Sequence, residues 1–222
     1  MLILWTFSAK SQELEPRSLS NIPLGTNFVL LNYSLSQGNV LYDPALTLDD
    51  VNAKVNTVLG AYVRSFNFFG NGAKFNIIQP YVNGDWKGNY QGVDTATTRS
   101  GLADLRFGIS INFLGSPSLK KEDFSSFQQK FISGISFQVV APTGQYDPEK
   151  LINLGSNRWA FKSQIGFSQK INSWFLEFAA NIWLFTRNRS FWGGNILDQK
   201  PIGTFKVHVI KTLKKRIWRN SL

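Results

Sequence analysis

Apolar and polar residues alternate with period two along about eight segments, the pattern of a β-strand with one apolar face. The most regular segment sets Leu105, Phe107, Ile109, Ile111 and Phe113 against Asp104, Arg106, Gly108, Ser110 and Asn112. A slip of one residue there would exchange the two faces, so its register is well specified. Toward the N-terminus, Val29, Leu31, Tyr33 and Leu35 oppose Leu30, Asn32, Ser34 and Ser36. Next, Val55, Thr57, Leu59, Ala61 and Val63 oppose Lys54, Asn56, Gly60 and Arg64, and Ile78, Pro80, Val82, Gly84 and Trp86 oppose Gln79, Tyr81, Asn83 and Asp85. Toward the C-terminus, Phe131, Ile135, Phe137 and Val139 oppose Gly134, Ser136 and Gln138, and Trp159, Phe161, Ile165 and Phe167 oppose Arg158, Lys162, Gln164 and Ser168. The last two segments set Trp174, Leu176, Phe178, Ala180, Ile182 and Leu184 against Glu177, Asn181 and Arg187, and Phe205, Val207 and Val209 against Thr204, Lys206 and His208. Helical periodicity is nearly absent.

The connections alternate in length. Long ones are expected at residues 37–50, 87–100, 142–157 and 188–200, and short ones at 171–173 and at 69–73, where Asn71-Gly72 is a hairpin signal. Residues 115–129 break the alternation, being long where a tight turn is due, with room for a short helix over 119–127. Up-and-down strands with long loops at one end are the topology of outer-membrane barrels.

Alternation alone does not say whether the apolar face meets lipid or a soluble core. Charge decides it, because no apolar face above carries a charge at mid-strand, whereas Lys54, Arg64, Arg106, Arg158, Lys162, Arg187 and Lys206 all fall on polar faces. Hydrocarbon requires such a band, since Arg or Lys at the bilayer midplane costs about 2–4 kcal/mol. Trp86, Phe113, Trp159, Phe167 and Trp174 lie near strand ends on the apolar faces and read as interfacial girdles. Turned inward, this much aromatic bulk would overfill a barrel of that size. The fold expected is therefore all-β, an antiparallel up-and-down transmembrane barrel of about eight strands, with the polar faces lining its lumen. Basic residues outnumber acidic ones on those faces, which favours anions. Asp104 with Arg106 and Glu177 with Arg187 suit ion pairs across a wet lumen.

Composition agrees. The 222 residues suit one domain, and 19 Phe, 7 Trp and 6 Tyr coexist with a mean hydropathy of only -0.14, so the apolar residues are interleaved rather than run together. No stretch approaches the roughly 20 apolar residues of a membrane helix. Of the net charge of +10, only Lys214, Lys215, Arg216 and Arg219 cluster, as a solvated tail end rather than a nucleic-acid patch. The apolar run at 1–7 followed by Ser8, Ala9, Lys10 and Ser11 reads as a signal peptide clipped at its start. Residues 1–11 are thus assigned to that peptide, 12–26 to an extension, 27–214 to the barrel and 215–222 to a truncated end.

The stretch VVAPTGQYDPEKLINLGSNRWAFKSQIGFS at 139–168, with GLADLRFGISINF at 101–113, resembles the family of outer-membrane transporters named for the meta-pathway of phenol degradation. The carriers are the Pro142-Thr143-Gly144 turn, the Asn157-Arg158-Trp159 strand start, Ile165-Gly166, and Gly101 spaced from Asp104. The likeness covers most of the chain loosely. It implies a barrel in the outer membrane of a Gram-negative bacterium that passes small, often aromatic, compounds, with lipid, solute and the barrel-assembly machinery as partners. The chain departs from that family at Lys-Lys-Arg-Ile-Trp-Arg-Asn-Ser-Leu, which stands where an amphipathic strand with a terminal aromatic is expected, and Ile217 and Trp218 read as the start of a strand cut short.

No Walker A, HExxH or GxSxG pattern occurs and no cysteine exists, so neither an enzyme nor a cofactor is expected. His208, the sole histidine, reads as a lumen residue, and Asp43-Pro44 and Asp147-Pro148 as turn starters rather than calcium ligands. Two other readings stand beside transport: a structural barrel plugged around Trp183 and Phe185, and a soluble lipocalin-like ligand-binding barrel.

Overall fold

Hairpins of unequal height, laid side by side, build the molecule. The computed structural model describes residues 18–40 and 48–212, so the regions read as a signal peptide and as a truncated end lie outside the described residues, as does the first part of the extension, 12–17. The strands are β1 (Asn27–Asn39), β2 (Leu48–Phe68), β3 (Asn71–Tyr90), β4 (Val93–Leu102), β5 (Leu105–Leu114), β6 (Phe131–Ala141), β7 (Ala160–Ile171), β8 (Trp174–Phe185), β9 (Asn188–Phe191), β10 (Asn195–Leu197) and β11 (Ile202–Lys211). One helical turn, α1 (Lys121–Phe124), falls inside the long 115–129 connection.

The main sheet runs β1-β2-β3-β5-β6-β7-β8-β11, with every neighbour antiparallel. β4 and β5 are two halves of a single neighbour of β3. β4 pairs with its C-terminal part, from Tyr81 to Tyr90, and β5 with its N-terminal part, from Ala73 to Ile78. The break falls at Ala103 and Asp104, where the Ala103 amide still donates to the Pro80 carbonyl at 3.0 Å. β1 and β11 are the two edges, and among the described residues they do not pair with each other. The result is an all-β, up-and-down wall curled like half a barrel.

Strand length divides the wall. β5 to β8 and β11 have 10 to 12 residues, the length of a tilted membrane-crossing strand. β2 and β3 have 21 and 20, about 65–70 Å of strand at 3.3 Å per residue. Their extra height, with β4 and the upper part of β1, stands beyond β5 to β8 and β11 at the long-connection end.

Two expectations are corrected here. The long connection at 87–100 is not a loop, because β3 continues to Tyr90, turns at Gln91-Gly92, and returns as β4. The run Val93–Leu102 is rich in Thr and Val, which suit a pleated surface. The first tight turn is at Phe69-Gly70 rather than Asn71-Gly72. Both turn residues have positive φ, 49° and 83°, as a two-residue hairpin turn requires, and the Asn67 side chain accepts the Gly70 amide at 2.9 Å. The 115–129 connection is long because it also pairs, with Gly72 N donating to Ser116 O at 2.8 Å and Ser118 N to Gly70 O at 2.9 Å.

Candidate functional site

Residues directly opposite in a ladder share a face, so the registers sort every strand residue. Phe75 and Ile77 of β3 lie opposite Ile109 and Phe107 of β5, and from there the same face continues through Phe137 and Val139, Ile165 and Phe161, Ala180 and Leu184, to Phe205. Along β7 this face is open, with Ile165 55% and Phe167 41% exposed, while the alternate residues Lys162, Gln164 and Ser168 are buried at 4%, 8% and 0%. In a curled sheet that asymmetry marks the open face as outer and the buried one as inner. On β5 to β8 and β11 the outer face carries no charge before Lys211, the last residue of β11, whose ammonium sits 5.2 Å from the Trp174 ring. The small side chains of Ser163 and Ala180 leave a shallow depression of about 540 Å³ in this apolar surface, walled by Ile109, Ile135, Phe137, Ile165 and Ile182.

The inner face holds Arg106, Ser110 and Asn112 of β5, Gln138 of β6, Lys162 and Gln164 of β7, Glu177 and Asn181 of β8, and Lys206 and His208 of β11. Glu177 accepts from Ser168 Oγ at 3.0 Å and faces His208 Nδ1 at 3.7 Å, and Thr204 Oγ1 donates to Asn181 Oδ1 at 2.6 Å. Toward the long-connection end Trp183 and Phe185 stack at 6.2 Å, the Lys162 ammonium lying 5.4 Å from Trp183 and the Arg158 guanidinium 4.7 Å from Phe185.

Lys54, Asn56, Arg64, Gln79, Tyr81, Asn83 and Asp85 are not on this face. They share the outer face with Phe75 and Ile77, a correction to their assignment as lumen residues. For all but Arg64, which lies opposite Phe75, the cause is an inversion of polarity within β3. Below Ile78 its outer residues are apolar and Lys74 and Asn76 point inward; beyond it Gln79, Tyr81, Asn83 and Asp85 point outward and Pro80, Val82 and Trp86 inward. The outward polar groups bond to one another across β1 to β4, including Tyr33 OH to Asn56 Oδ1 at 2.7 Å, Tyr81 OH with Ser100 Oγ at 2.9 Å and Thr98 Oγ1 to Asp85 Oδ1 at 2.6 Å. Trp86, expected in a girdle, is likewise inward, its ring folded over Gly84. Of the other girdle residues, Trp159 lies at the long-connection end and Trp174 at the short-turn end, Phe113 sits in a register shift of β5, and Phe167 stacks between Phe131 and Phe178.

Asp104 and Arg187 also bond otherwise than expected. Asp104 does not pair with Arg106. Its buried carboxylate accepts from Gly144 N at 2.9 Å, Ser156 N at 2.8 Å and Ser156 Oγ at 2.6 Å, riveting the 142–158 loop to the break between β4 and β5. Thr143 Oγ1 accepts the Leu105 amide at 3.0 Å, and Gly144 and Gly155 touch backbone to backbone, leaving no room for a Cβ on either. Two of the motifs that carry the family likeness, the Pro142-Thr143-Gly144 turn and Gly101 spaced from Asp104, thus meet at one joint. The loop then bends over the inner face, where Arg99 Nε donates to Ile152 O at 2.9 Å, and ends in a cluster around the fully buried Asn188, which bonds to Tyr146, Ser156 and Asn157. Within this loop the hydrogen bond from Lys150 holds the Asp147 carboxyl below its ordinary range. Arg187 pairs with Asp198 at 2.7 Å rather than Glu177, and Arg158 bonds to Gln199.

Several inner residues escaped the sequence reading. Leu19 is buried over Gly134 and Gly166, its carbonyl accepts from Asn112 Nδ2 at 2.9 Å, and Lys74 Nζ donates to Ser18 O and Ser20 O at 2.8 and 3.1 Å. The segment before β1 therefore packs on the inner face at the short-turn end. Alternating Lys74 and Asn76 could have signalled a polar inner face there; nothing in the sequence marked Leu19. At the opposite end Tyr90, at the tip of β3, meets Trp192 edge-on at 5.7 Å, so the tall hairpin reaches the loop that carries β9 and β10.

From β5 to β8 and β11 the antiparallel wall has an apolar outer face free of charge up to Lys211 and a polar inner face, the architecture of a membrane-spanning β-barrel. Residues 34–199 match the family described as "Putative MetA-pathway of phenol degradation", and the chain belongs to that family. Its fold is similar to the crystal structure of an outer membrane channel from Pseudomonas putida F1, with a TM-score of 0.61 at 16% identity over 82% of this chain and 64% of that one. The chain thus spans less than two thirds of that channel's length. No curated protein matches it.

Proposed function

We propose that this chain forms the wall of an outer-membrane channel in a Gram-negative bacterium, a role in solute passage rather than catalysis. The carrying observation is the two-faced body from β5 to β11, uncharged and apolar outside and lined inside by Arg106, Gln138, Lys162, Gln164, Asn181 and Lys206. Family membership and the likeness to an outer membrane channel support the same reading. Lipid is then the partner of the outer face, Trp159 and Trp174 mark its two interfaces, and the barrel-assembly machinery inserts the chain. The solutes are small, aromatic or anionic. Folded protein added to planar lipid bilayers is expected to give discrete conductance steps; their absence from a folded preparation overturns the reading. That outcome would favour a non-transporting barrel, a reading supported by the packing of Leu19 on the inner face.

A further inference from the structure

The inner face is not uniform. From Ala61 and Ile78 toward the long-connection end its β2 and β3 sector is mostly apolar, presenting Leu59, Ala61, Ile78, Pro80 and Val82, whereas β5 to β11 present amides and cations. Arg106 stands on the boundary. Along the ladder Ala61 lies opposite Ile78, Ile78 opposite Arg106, Arg106 opposite Val140, and Val140 opposite Ala160, so one guanidinium interrupts an otherwise apolar row. The next row toward the short turns runs Val63, Asn76, Gly108, Gln138. Gly108 lets the Asn76 amide lie across its strand, since a Cβ there would stand 2.7 Å from that amide. Among the described residues Arg106 Nε, Asn76 Oδ1 and Gln138 Oε1 are buried without a hydrogen-bond partner. Buried polar atoms without protein partners are costly unless water or a ligand meets them.

We propose that Arg106, with Asn76 and Gln138 beside it, is a binding station for small amphipathic monocarboxylates, whose carboxylate meets the guanidinium while the apolar body lies on the β2–β3 sector. The station deepens the channel reading and rests on it. Three features select this class. A planar guanidinium matches a carboxylate in bidentate geometry. The apolar neighbours on both sides of Arg106 strip water from whatever binds, which disfavours a small, strongly hydrated anion with nothing apolar to bury in return. A neutral aromatic would cover the same apolar sector but leave the guanidinium, with its buried Nε, unmatched. With its side chain flipped, Gln138 or Asn76 can donate from its amide NH2 to the second carboxylate oxygen, since the oxygen and nitrogen ends of an amide are interchangeable in space.

Calorimetric titration of the full chain in detergent micelles with benzoate, acetate, benzyl alcohol and benzylammonium tests this. Benzoate is expected to bind at least about tenfold tighter than each of the other three, the size of a charge-assisted hydrogen bond combined with apolar burial. Arg106→Gln is expected to abolish the preference of benzoate over benzyl alcohol without weakening benzyl alcohol, and Arg106→Lys to keep part of it. Equal binding of benzoate and benzyl alcohol by the unaltered chain overturns the station, as does an undiminished preference in Arg106→Gln. Because the ligand series on the unaltered chain decides by itself, misfolding of a variant does not rescue the proposal. Bilayer recordings separate it from the reading beneath it. Conductance without a benzoate preference sinks only the station, and a benzoate preference in micelles without conductance sinks only the channel.

Discussion

The two halves of β3 have the same backbone and opposite polarity. From Ala73 to Ile77 its outer residues join an apolar surface shared with β5, while from Gln79 to Asp85 they join a hydrogen-bonded polar surface shared with β2 and β4. In the first half the strand has the height of its neighbours and meets what they meet; in the second it rises beyond them. A barrel strand thus carries two messages. Its alternation says that it is a strand, and the sense of the alternation says which medium lies outside at that height.

Substituting an outer residue in each region tests the comparison most severely. Ile165→Arg places a charge at the centre of the apolar outer face and is expected to lower stability by about 2–4 kcal/mol, whereas Asn83→Arg on the tall hairpin stays within about 0.5 kcal/mol. Denaturant unfolding from phospholipid vesicles measures both, and equal losses would break the distinction between the regions. At the joint between them, Asp104→Asn gives up charge-assisted bonds to Gly144 and Ser156 and is expected to cost about 2 kcal/mol, with faster proteolysis within residues 142–158. An unchanged cleavage rate would mean that the rivet is not what holds the loop. The smallest contrast concerns glycines. Gly166→Ala drives a Cβ to 2.9 Å from the Phe178 carbonyl and is expected to cost about 2 kcal/mol, since backbone cannot step aside. Gly84→Ala meets the Trp86 ring first, at 2.4 Å, and by swinging that ring is expected to cost no more than about 1 kcal/mol while shifting tryptophan emission. Similar costs for the two would show the tall hairpin to be packed as rigidly as the body.

How far the sequence could be read follows from the same contrast. Around Leu105 to Ile111 and Trp174 to Leu184 the apolar residues mark the outer face directly, because those strands are no longer than one crossing. Within β2 and β3 the same rule selected Val55, Leu59, Val82 and Trp86 as outer residues, and the registers place them inside. Nothing local distinguishes an apolar face turned to lipid from one turned inward above it; only pairing with β5 fixes the sense. Asn71-Gly72 misled because the dipeptide suits a tight turn, while Phe69 accepts a positive φ in spite of its bulk. Asp104 was visible as a motif residue but not as a rivet, since its partners Gly144 and Ser156 are remote in sequence and bind mostly through backbone amides.

The order of the strands has a kinetic meaning as well. With β4 and β5 taken as one strand broken at Ala103 and Asp104, and apart from the small β9–β10 excursion, each strand of the main sheet hydrogen-bonds the strands next to it in the chain. Among the described residues no pairing of the main sheet joins strands distant in the chain, so each one closes a local loop at low entropic cost. Such a wall can zip up one hairpin at a time, each newly formed edge serving as the template on which the following strand crystallises.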